Sequence, residues 1–416
     1  MSNSRRVVVT GIGAVTPLGN TAKEFWSSVI RGRSGVGPIT LFDASKLATT
    51  FAAEVRGFDP NEVIGRKDAR KMDRFSQFAL VAAVEAVSDS SLKIDDHNRD
   101  RIGVIMGSGI GGITTIEQQT KLVNEQGVDR VSPFFIPMLI SNIAPGLISM
   151  RYGVRGPSQT AVSACASSNN AIGDAMRVIQ HGDADVMISG GSEAPITPIA
   201  VGGFCAMRAL STRNDDPQTA SRPFDKTRDG FVIGEGGGAL ILEELGHARA
   251  RGADIYAELI GYGQSSDAYH MVAPDPQGRG VKLAMARAIQ DAGLRPTDID
   301  YINAHATSTD LGDAAETQAV HAVFGEHAKH IPVSSNKSMF GHALGAAGAL
   351  EGICTIMTIR DGIVPATINY GHVDPACDLD CVPNVARRYS VGAAMSNSFG
   401  FGGHNAVLVF RRFSDN

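Results

Sequence analysis

Short apolar runs rich in Val and Ile recur along the chain and alternate with longer segments whose apolar residues repeat at helical spacing. The strand-like runs "RRVVVTGIG", "RIGVIMGSG", "QTAVSA", "ADVMISGG" and "GALILEEL" form one series. After the basic, turn-forming "GHARARGAD" a second series begins with "IYAELIGYG". It continues through the helical "GVKLAMARAIQDAG", then "IDYINAHA", "HIPVSSNKS" and "AAMSNSFGFGG". Alternation of this kind predicts an α/β fold. In each series an extended run feeds a small-residue turn and then a helix: "SACASSNNAIGDAMRVI" in the first, "SMFGHALGAAGALEGICTIMTI" in the second. Two similar α/β halves are expected, residues 1–255 and 256–416. The polar, turn-rich "RNDDPQTASRPFDKTRDG" is expected as a surface excursion from the first.

Composition narrows this picture. A chain of 416 residues with 43% hydrophobic content exceeds what one ordinary core supports, which agrees with two core-forming units. The 38 basic and 43 acidic residues are evenly mixed, so no field suits wrapping of nucleic acid. No apolar run reaches the length of a membrane span. The opening "MSNSRRVVVTGIGAVTPLG" is broken by Thr and Gly before a secretory core could form, and a cytoplasmic protein is expected. Five cysteines without CxxC spacing argue against a disulfide framework and a zinc site, so each thiol is judged separately.

Cys165 stands where a β-branched run gives way to small residues and a helical pattern. Ile172, Met176 and Ile179 make an apolar stripe at helical spacing, which places Cys165 near the helix start. Free N–H groups and the positive end of a helix dipole favour a thiolate there. They are expected to lower the thiol pKa from about 8.5 toward neutrality and to supply donors for an oxyanion. The competing reading is a buried small hydrophobe, as most free cysteines are. Two of the eleven histidines share similarly small surroundings: His305 in "YINAHATSTDLGD" and His342 in "NKSMFGHALGAAGALEG", each expected to close a strand-like run. They lack HxxxH spacing and a Cys pair, so a metal site ranks low.

With these residues in hand, the sequence resembles the β-ketoacyl-acyl carrier protein synthases of the thiolase fold, most closely the synthase II type. The likeness runs from "RRVVVTGIGAVTPLGN" through "SACASSNNAIGDA", "GDADVMISGGSEAPITP", "RALSTRNDDPQTASRPFDKTRDGFVIGEG", "NAHATSTDLGDAAE" and "SSNKSMFGHALGAAGALE" to "NSFGFGGHNAVLVF". Each motif is weak alone, and seven in family order are strong. The resemblance implies a duplicated thiolase-like fold of five αβαβα layers, a homodimer, and acyl carrier protein as partner. It implies elongation of an acyl carrier protein thioester by decarboxylative condensation with malonyl carrier protein. Substrates ride on a phosphopantetheine arm, with no metal or redox cofactor.

Residue by residue, the resemblance makes Cys165 the acyl-accepting nucleophile, with His305 and His342 acting on the malonyl thioester. Lys337 matches the lysine that orders the site. Glu351 matches the acid on the next helix, where a carboxylate inside the apolar "GALEGICTIM" requires a partner such as Lys337. Thr307 and Thr309 match positions bonding the pantetheine arm, with a turn-capping role as the other reading. Phe401, between glycines, resembles a gate over the acyl pocket, and its backbone N–H joins that of Cys165 as oxyanion donor. Ile110 and Phe399 match pocket-lining positions, and Asp267 and His270 the neighbouring mobile loop. Arg66, Lys67, Arg70, Lys71 and Arg208 form a candidate basic patch for an acidic carrier protein, against the plainer reading of a solvated face. The chain departs from the usual pattern at Ala306, Asp310, Asn336 and Phe340, all near the histidines, and none of these removes a reacting group. The departures keep open a specialised ketosynthase of a polyketide-like route.

A different class competes through "GSGIGG". Gly107, Gly109 and Gly112 satisfy GxGxxG after a strand-like run and before a helical one, as in an NAD-dependent oxidoreductase. A degradative thiolase would carry a second cysteine near the C-terminus, whereas Cys377 and Cys381 lie upstream of "GFGGHN".

Overall fold

The apolar runs become strands of one mixed sheet. In the computed structural model, which describes residues 5–414, these are β1 Val7–Val15, β2 Ile102–Gly107, β3 Ser158–Ala161, β4 Val186–Glu193 and β5 Gly236–Glu244, followed by β6 Ala257–Ser266, β7 Tyr301–Asn303, β8 Val333–Ser334, β9 Ala393–Gly400 and β10 His404–Arg411. The helices that position the site are α1 Arg74–Asp89, α2 Ile113–Gln126, α3 Ser167–His181, α4 Leu245–Ala250, α5 Arg279–Asp291, α6 Asp310–Phe324 and α7 Ala347–Asp361. The strand order is β8-β7-β9-β10-β6-β1-β5-β4-β2-β3.

Read outward from the middle, β1-β5-β4-β2-β3 and β6-β10-β9-β7-β8 repeat one pattern. In each, the first three strands are antiparallel to their neighbours and the last three run parallel. The halves join where Val7–Val9 of β1 pair antiparallel with Ala257–Leu259 of β6. Helix α1 packs on β1 and β5, α5 packs on β6 and β10, and α3 and α7 pack on each other between the sheet halves. The result is a five-layered, thiolase-like α/β architecture. Strands sandwiched between helices read as continuous apolar runs because both faces are buried. In the middle layer Ile172, Met176 and Ile179 of α3 share a fully buried cluster with Leu350, Ile353 and Ile356 of α7.

Three expectations differ from the structure, and one strand, β10, is not among those expected. "GHARARGAD" contains helix α4, whose N-terminus is capped by the Glu244 carboxylate accepting from the His247 N–H. Strand β10 closes a hairpin with β9 across Gly402 and Gly403, which adopt φ +84° and +75°. His342 follows a short helix, Lys337–Phe340, rather than a strand. The segment "RNDDPQTASRPFDKTRDG" is not a surface excursion, since Ala220, Ser221, Arg222, Phe224, Asp225 and Arg228 within it are buried. Its charges are tolerated because each is partnered. Arg228 pairs with Asp374 at 2.5 Å and donates to the Thr309 and Asp310 carbonyls, while Phe224 N–H donates to Asp313. This strap holds the loop that carries Thr307 and Thr309.

Candidate active site

Cys165 sits in a single 3-10 turn, Ala164–Ala166, that runs directly into α3. Ala164 is forced to φ +50°, a left-handed conformation costly for a residue with a side chain. The turn thereby aims the sulfur away from the helix axis into a cavity. Glycine is required opposite it: a Cβ on Gly400 would lie 2.6 Å from the Ser163 carbonyl and 3.1 Å from the Cys165 nitrogen. That close approach brings the backbone N–H of Phe401 to the sulfur, beside the N–H of Cys165 itself.

The second half supplies the histidines. His342 Nε2 lies 3.0 Å from Cys165 Sγ, and the His305 and His342 rings are 5.3 Å apart, nearly perpendicular. His305 follows β7, and its N–H and that of Ala306 donate to the Glu316 carboxylate at 3.0 and 2.7 Å. Asn397 of β9 donates to the same carboxylate at 2.9 Å. Lys337 Nζ is fully buried, ion-paired with Glu351 and 3.5 Å from His305 Nδ1. An ammonium can only donate, so His305 Nδ1 accepts and its proton resides on Nε2. Burial, then the Lys337 charge, holds both imidazoles well below the ordinary histidine range, so they are neutral near pH 7. Burial pushes the Glu351 carboxyl up to about 7 against the pull of Lys337.

The expected thiolate is corrected by this setting. Burial pushes the Cys165 thiol up to about 12, and the Lys337 charge and the Phe401 and Cys165 N–H groups only partly oppose it. The helix-start effect is present, but desolvation in a closed apolar site outweighs it. Cys165 therefore rests as a neutral thiol against a neutral imidazole, in reach of a proton acceptor.

Cys165, His305 and His342 lie on the wall of a cavity of about 540 Å³. Ile110, Phe399, Phe401 and Asp267 also line it, and Thr307 and Thr309 face it with their hydroxyls 3.1 Å apart. Thr309 is the N-cap residue of α6, yet its side chain makes no capping bond. The Phe399 ring is 5.5 Å from His305, and the Phe401 ring is 6.5 Å from Phe204, a lining residue the sequence reading did not single out. Asp267 accepts from Asn405 at 2.7 Å, and its N–H donates to the Gly403 carbonyl. His270 is not on the cavity wall. It is exposed and accepts the N–H groups of Val272 and Ala273, closing its own loop.

Arg208 is exposed on the cavity rim, at φ +54°. Arg66, Lys67 and Arg70 are exposed away from the cavity wall. Lys71 beside them pairs with Asp68 at 3.4 Å and lies 5.6 Å from the Phe134 ring centre. Of the departures from the family pattern, Phe340 packs edge-on against Phe25 at 5.4 Å, and Asn336 accepts from Asn303 at 2.7 Å.

The GxGxxG loop does not offer a phosphate site. Its donors are already engaged: the N–H groups of Gly109, Ile110 and Gly111 and the Ser108 hydroxyl all reach the Glu193 carboxylate. An anion-binding nest filled by the protein's own carboxylate excludes the pyrophosphate of a dinucleotide. Among the described residues no group of three or more His, Cys, Asp or Glu could hold a metal ion, and no helix is long and apolar enough to cross a membrane. Glu316 and Glu193 escaped the sequence reading. Their one local signal is a carboxylate set among small residues, in "GDAAE" and "GGSEA".

Comparison with known proteins accords with this geometry. Family models for the β-ketoacyl synthase N-terminal domain and C-terminal domain match residues 4–248 and 256–371. A 3-oxoacyl-[acyl-carrier-protein] synthase 2 of Synechocystis is 53% identical over 98% of this chain and 98% of that protein. One from Staphylococcus aureus is 52% identical over 99% and 100%. Among solved structures, a β-ketoacyl synthase from Burkholderia phymatum superposes with a TM-score of 0.92 at 39% identity, covering 99% of this chain and 100% of that one. A type II polyketide ketosynthase in complex with its acyl carrier protein superposes equally well at 36% identity, with the same coverage. With a Cys and two His converging across the repeat, and family models spanning most of its length, the chain belongs to the β-ketoacyl synthase family.

Proposed function

We propose that the protein is a 3-oxoacyl-[acyl carrier protein] synthase of the synthase II type, extending acyl chains by decarboxylative Claisen condensation. The observation that carries this reading is the neutral Cys165–His342 contact with His305 beside it at one wall of a largely apolar cavity. Identity of 52–53% over nearly the whole chain to synthases of that name favours it over a polyketide-like route, whose ketosynthase neighbour is 36% identical.

In the first half-reaction the Cys165 sulfur attacks the acyl thioester carbonyl as its proton passes to His342 Nε2. The oxyanion forms against the Cys165 and Phe401 N–H groups, and as it collapses the carrier sulfur leaves with the proton returned from His342 Nε2. In the second, malonyl carrier protein loses carbon dioxide; with the sulfur acylated and no thiol proton left to accept, neutral His342 takes the tautomer with its proton on Nε2, and the enolate oxygen is held by the Nε2–H groups of His305 and His342. Neutral imidazoles stabilise that enolate without quenching it as a strong acid would. The enolate carbon attacks the acyl-Cys165 carbonyl, the C–S bond breaks, the Cys165 sulfur takes up one proton from solvent to restore the neutral thiol, and the β-ketoacyl carrier protein departs. The balance requires no oxidant, reductant or metal.

Residues 1–255 supply the nucleophile and 256–416 the histidine pair in this scheme. Lys337 fixes the His305 proton and Glu351 neutralises Lys337. Thr307 and Thr309 bond the pantetheine arm, Ile110 and Phe399 shape the acyl site, and Phe401 gates it beside the Asp267–His270 loop. Acyl carrier protein docks over Arg208 with Arg66, Lys67, Arg70 and Lys71, and the working unit is a cytoplasmic homodimer. Incubation of a panel of acyl carrier protein donors with malonyl carrier protein, read by mass spectrometry, tests the function. Products two carbons longer with a β-keto group are expected, and their absence from every donor contradicts it.

A further inference from the structure

Glu193 ends β4 and is fully buried, and no salt bridge neutralises it among the described residues. Its carboxylate instead gathers five donors. Oε1 accepts the Ser108 hydroxyl at 3.0 Å and the Ile110 and Gly111 N–H groups at 3.1 and 3.3 Å. Oε2 accepts the Gly109 N–H at 2.6 Å and the Gly345 N–H at 3.0 Å. Burial pushes this carboxyl up while its donors oppose that; four of the five are backbone N–H groups that can only donate, and the Ser108 hydroxyl, which already accepts the Gly111 N–H at 3.1 Å, is the one partner able to take a carboxyl proton. The ionised form is the one this cradle is built for.

The donors come from two segments, one in each half of the chain. Residues 108–111 follow β2 in the first half. Gly345 lies in the 3-10 turn Leu344–Ala346, three residues after His342. That turn repeats the one carrying Cys165: Leu344 has φ +45° where Ala164 has +50°, and each turn leads into a fifteen-residue helix. Gly345 stands where the cysteine stands in the first repeat. A Cβ there would collide with the Gly109 nitrogen and with the Glu193 carboxylate itself. Gly109 and Ile110, which this carboxylate holds, and Leu344, the neighbour of the Gly345 it holds, all line the cavity that holds Cys165.

We propose that Glu193 is the positioning residue of the acyl pocket, fastening the Ile110 loop to the Leu344–Gly345 turn as one wall and so setting which acyl chains reach Cys165. The proposal rests on the ketosynthase reading above. Glu193 touches no substrate and acts through Ile110 and Leu344. Its negative charge also adds to the forces that keep Cys165 protonated, against the pull of the Lys337 charge.

Two variants test it in the full-length protein. Glu193→Gln places an amide donor against N–H donors and releases one segment, and Glu193→Asp keeps the charge but falls short of bridging both. Each should change the ratio of kcat/KM between short and long acyl donors by roughly 10-fold, the effect of about one methylene of pocket shape. A merely structural role would not move a second readout, the pH midpoint of Cys165 alkylation. It should fall in Glu193→Gln, where a neighbouring negative charge is lost, and stay in Glu193→Asp. An unchanged donor ranking in both variants, or an alkylation midpoint that rises in Glu193→Gln, overturns the proposal. If Glu193→Gln fails to fold, Ser108→Ala removes one donor and should shift the ranking in the same direction, and no shift there has the same force. The parent's condensation is the control: its absence defeats the ketosynthase reading, whereas altered ranking against an active parent concerns Glu193 alone.

Discussion

The proposed chemistry turns on a thiol that is held protonated until a substrate arrives. Cys165 is buried with its pKa pushed up to about 12, and its proton faces His342 at 3.0 Å. A free thiolate beside an apolar acyl pocket would invite oxidation, whereas a neutral pair transfers its proton only as the carbonyl is attacked. Alkylation of resting Cys165 by iodoacetamide should therefore keep rising with pH beyond 9, since the reactive thiolate fraction grows until the pKa is passed. A rate that levels off near pH 7, followed by peptide mapping at Cys165, would contradict the neutral resting thiol.

Among the elements, the hairpin of β9 and β10 carries the residue to which the proposal gives both a chemical and a specificity role. Its turn carries Phe401 between glycines, and Gly402 and Gly403 both have positive φ that a side chain would strain. The Phe401 backbone N–H lies at the sulfur while its ring lines the cavity, so the two proposed duties separate on truncation. Phe401→Ala should leave acylation of Cys165 within a few-fold of the parent and blur discrimination among acyl donors. A donor ranking identical to the parent's, measured by competition, would remove the gate assignment. The sequence revealed elements whose cause is local: the Val-rich β1 and β2, the stripe Ile172–Met176–Ile179, and the small-residue turn before it. It did not reveal the strap around Arg222 and Arg228, because a run of charges reads as solvated until Asp313 and Asp374 arrive from distant segments to pair with it. Glu193 and Glu316 were hidden for the same reason, since their partners are backbone N–H groups of other loops. Cys165, His305 and His342 stood out because small neighbours isolate each of them. The burial that changes their protonation is a tertiary effect that spacing along the chain does not carry.

On the scale of the whole molecule, the duplication meets at a narrow seam. β1 and β6 share only the pairing of Val7–Val9, and beside it Glu258 receives Arg6 at 2.7 Å and Arg411 at 2.7 Å. These arginines hold the buried Glu258 carboxyl below its ordinary range, although burial opposes them. A depressed folded-state pKa means the stabilisation is present above the unfolded value near 4.5 and is lost as pH falls through the folded one. Glu258→Gln should thus cost about 1.5–3 kcal/mol at pH 7, the range for hydrogen bonds to a charged group. The difference from the parent should vanish in acid. Denaturant titrations at several pH values check this, and a gap that stays constant down to pH 3 would show that the seam does not depend on the charge.

The seam matters because the proposed mechanism draws on both halves at once, one for the nucleophile and the other for the decarboxylating pair. Separating the half-reactions tests that division most directly. Intact mass would report acyl transfer onto the protein, and carbon dioxide release from malonyl carrier protein would report the second step, in Cys165→Ala, His305→Ala, His342→Ala and the parent. Cys165→Ala should form no acyl-enzyme and no condensation product yet still release carbon dioxide. The histidine variants should release it about 100-fold more slowly, as expected for a lost donor to a developing oxyanion, while still acquiring an acyl group. Condensation by Cys165→Ala, or decarboxylation at the parent rate by both histidine variants, would contradict the account.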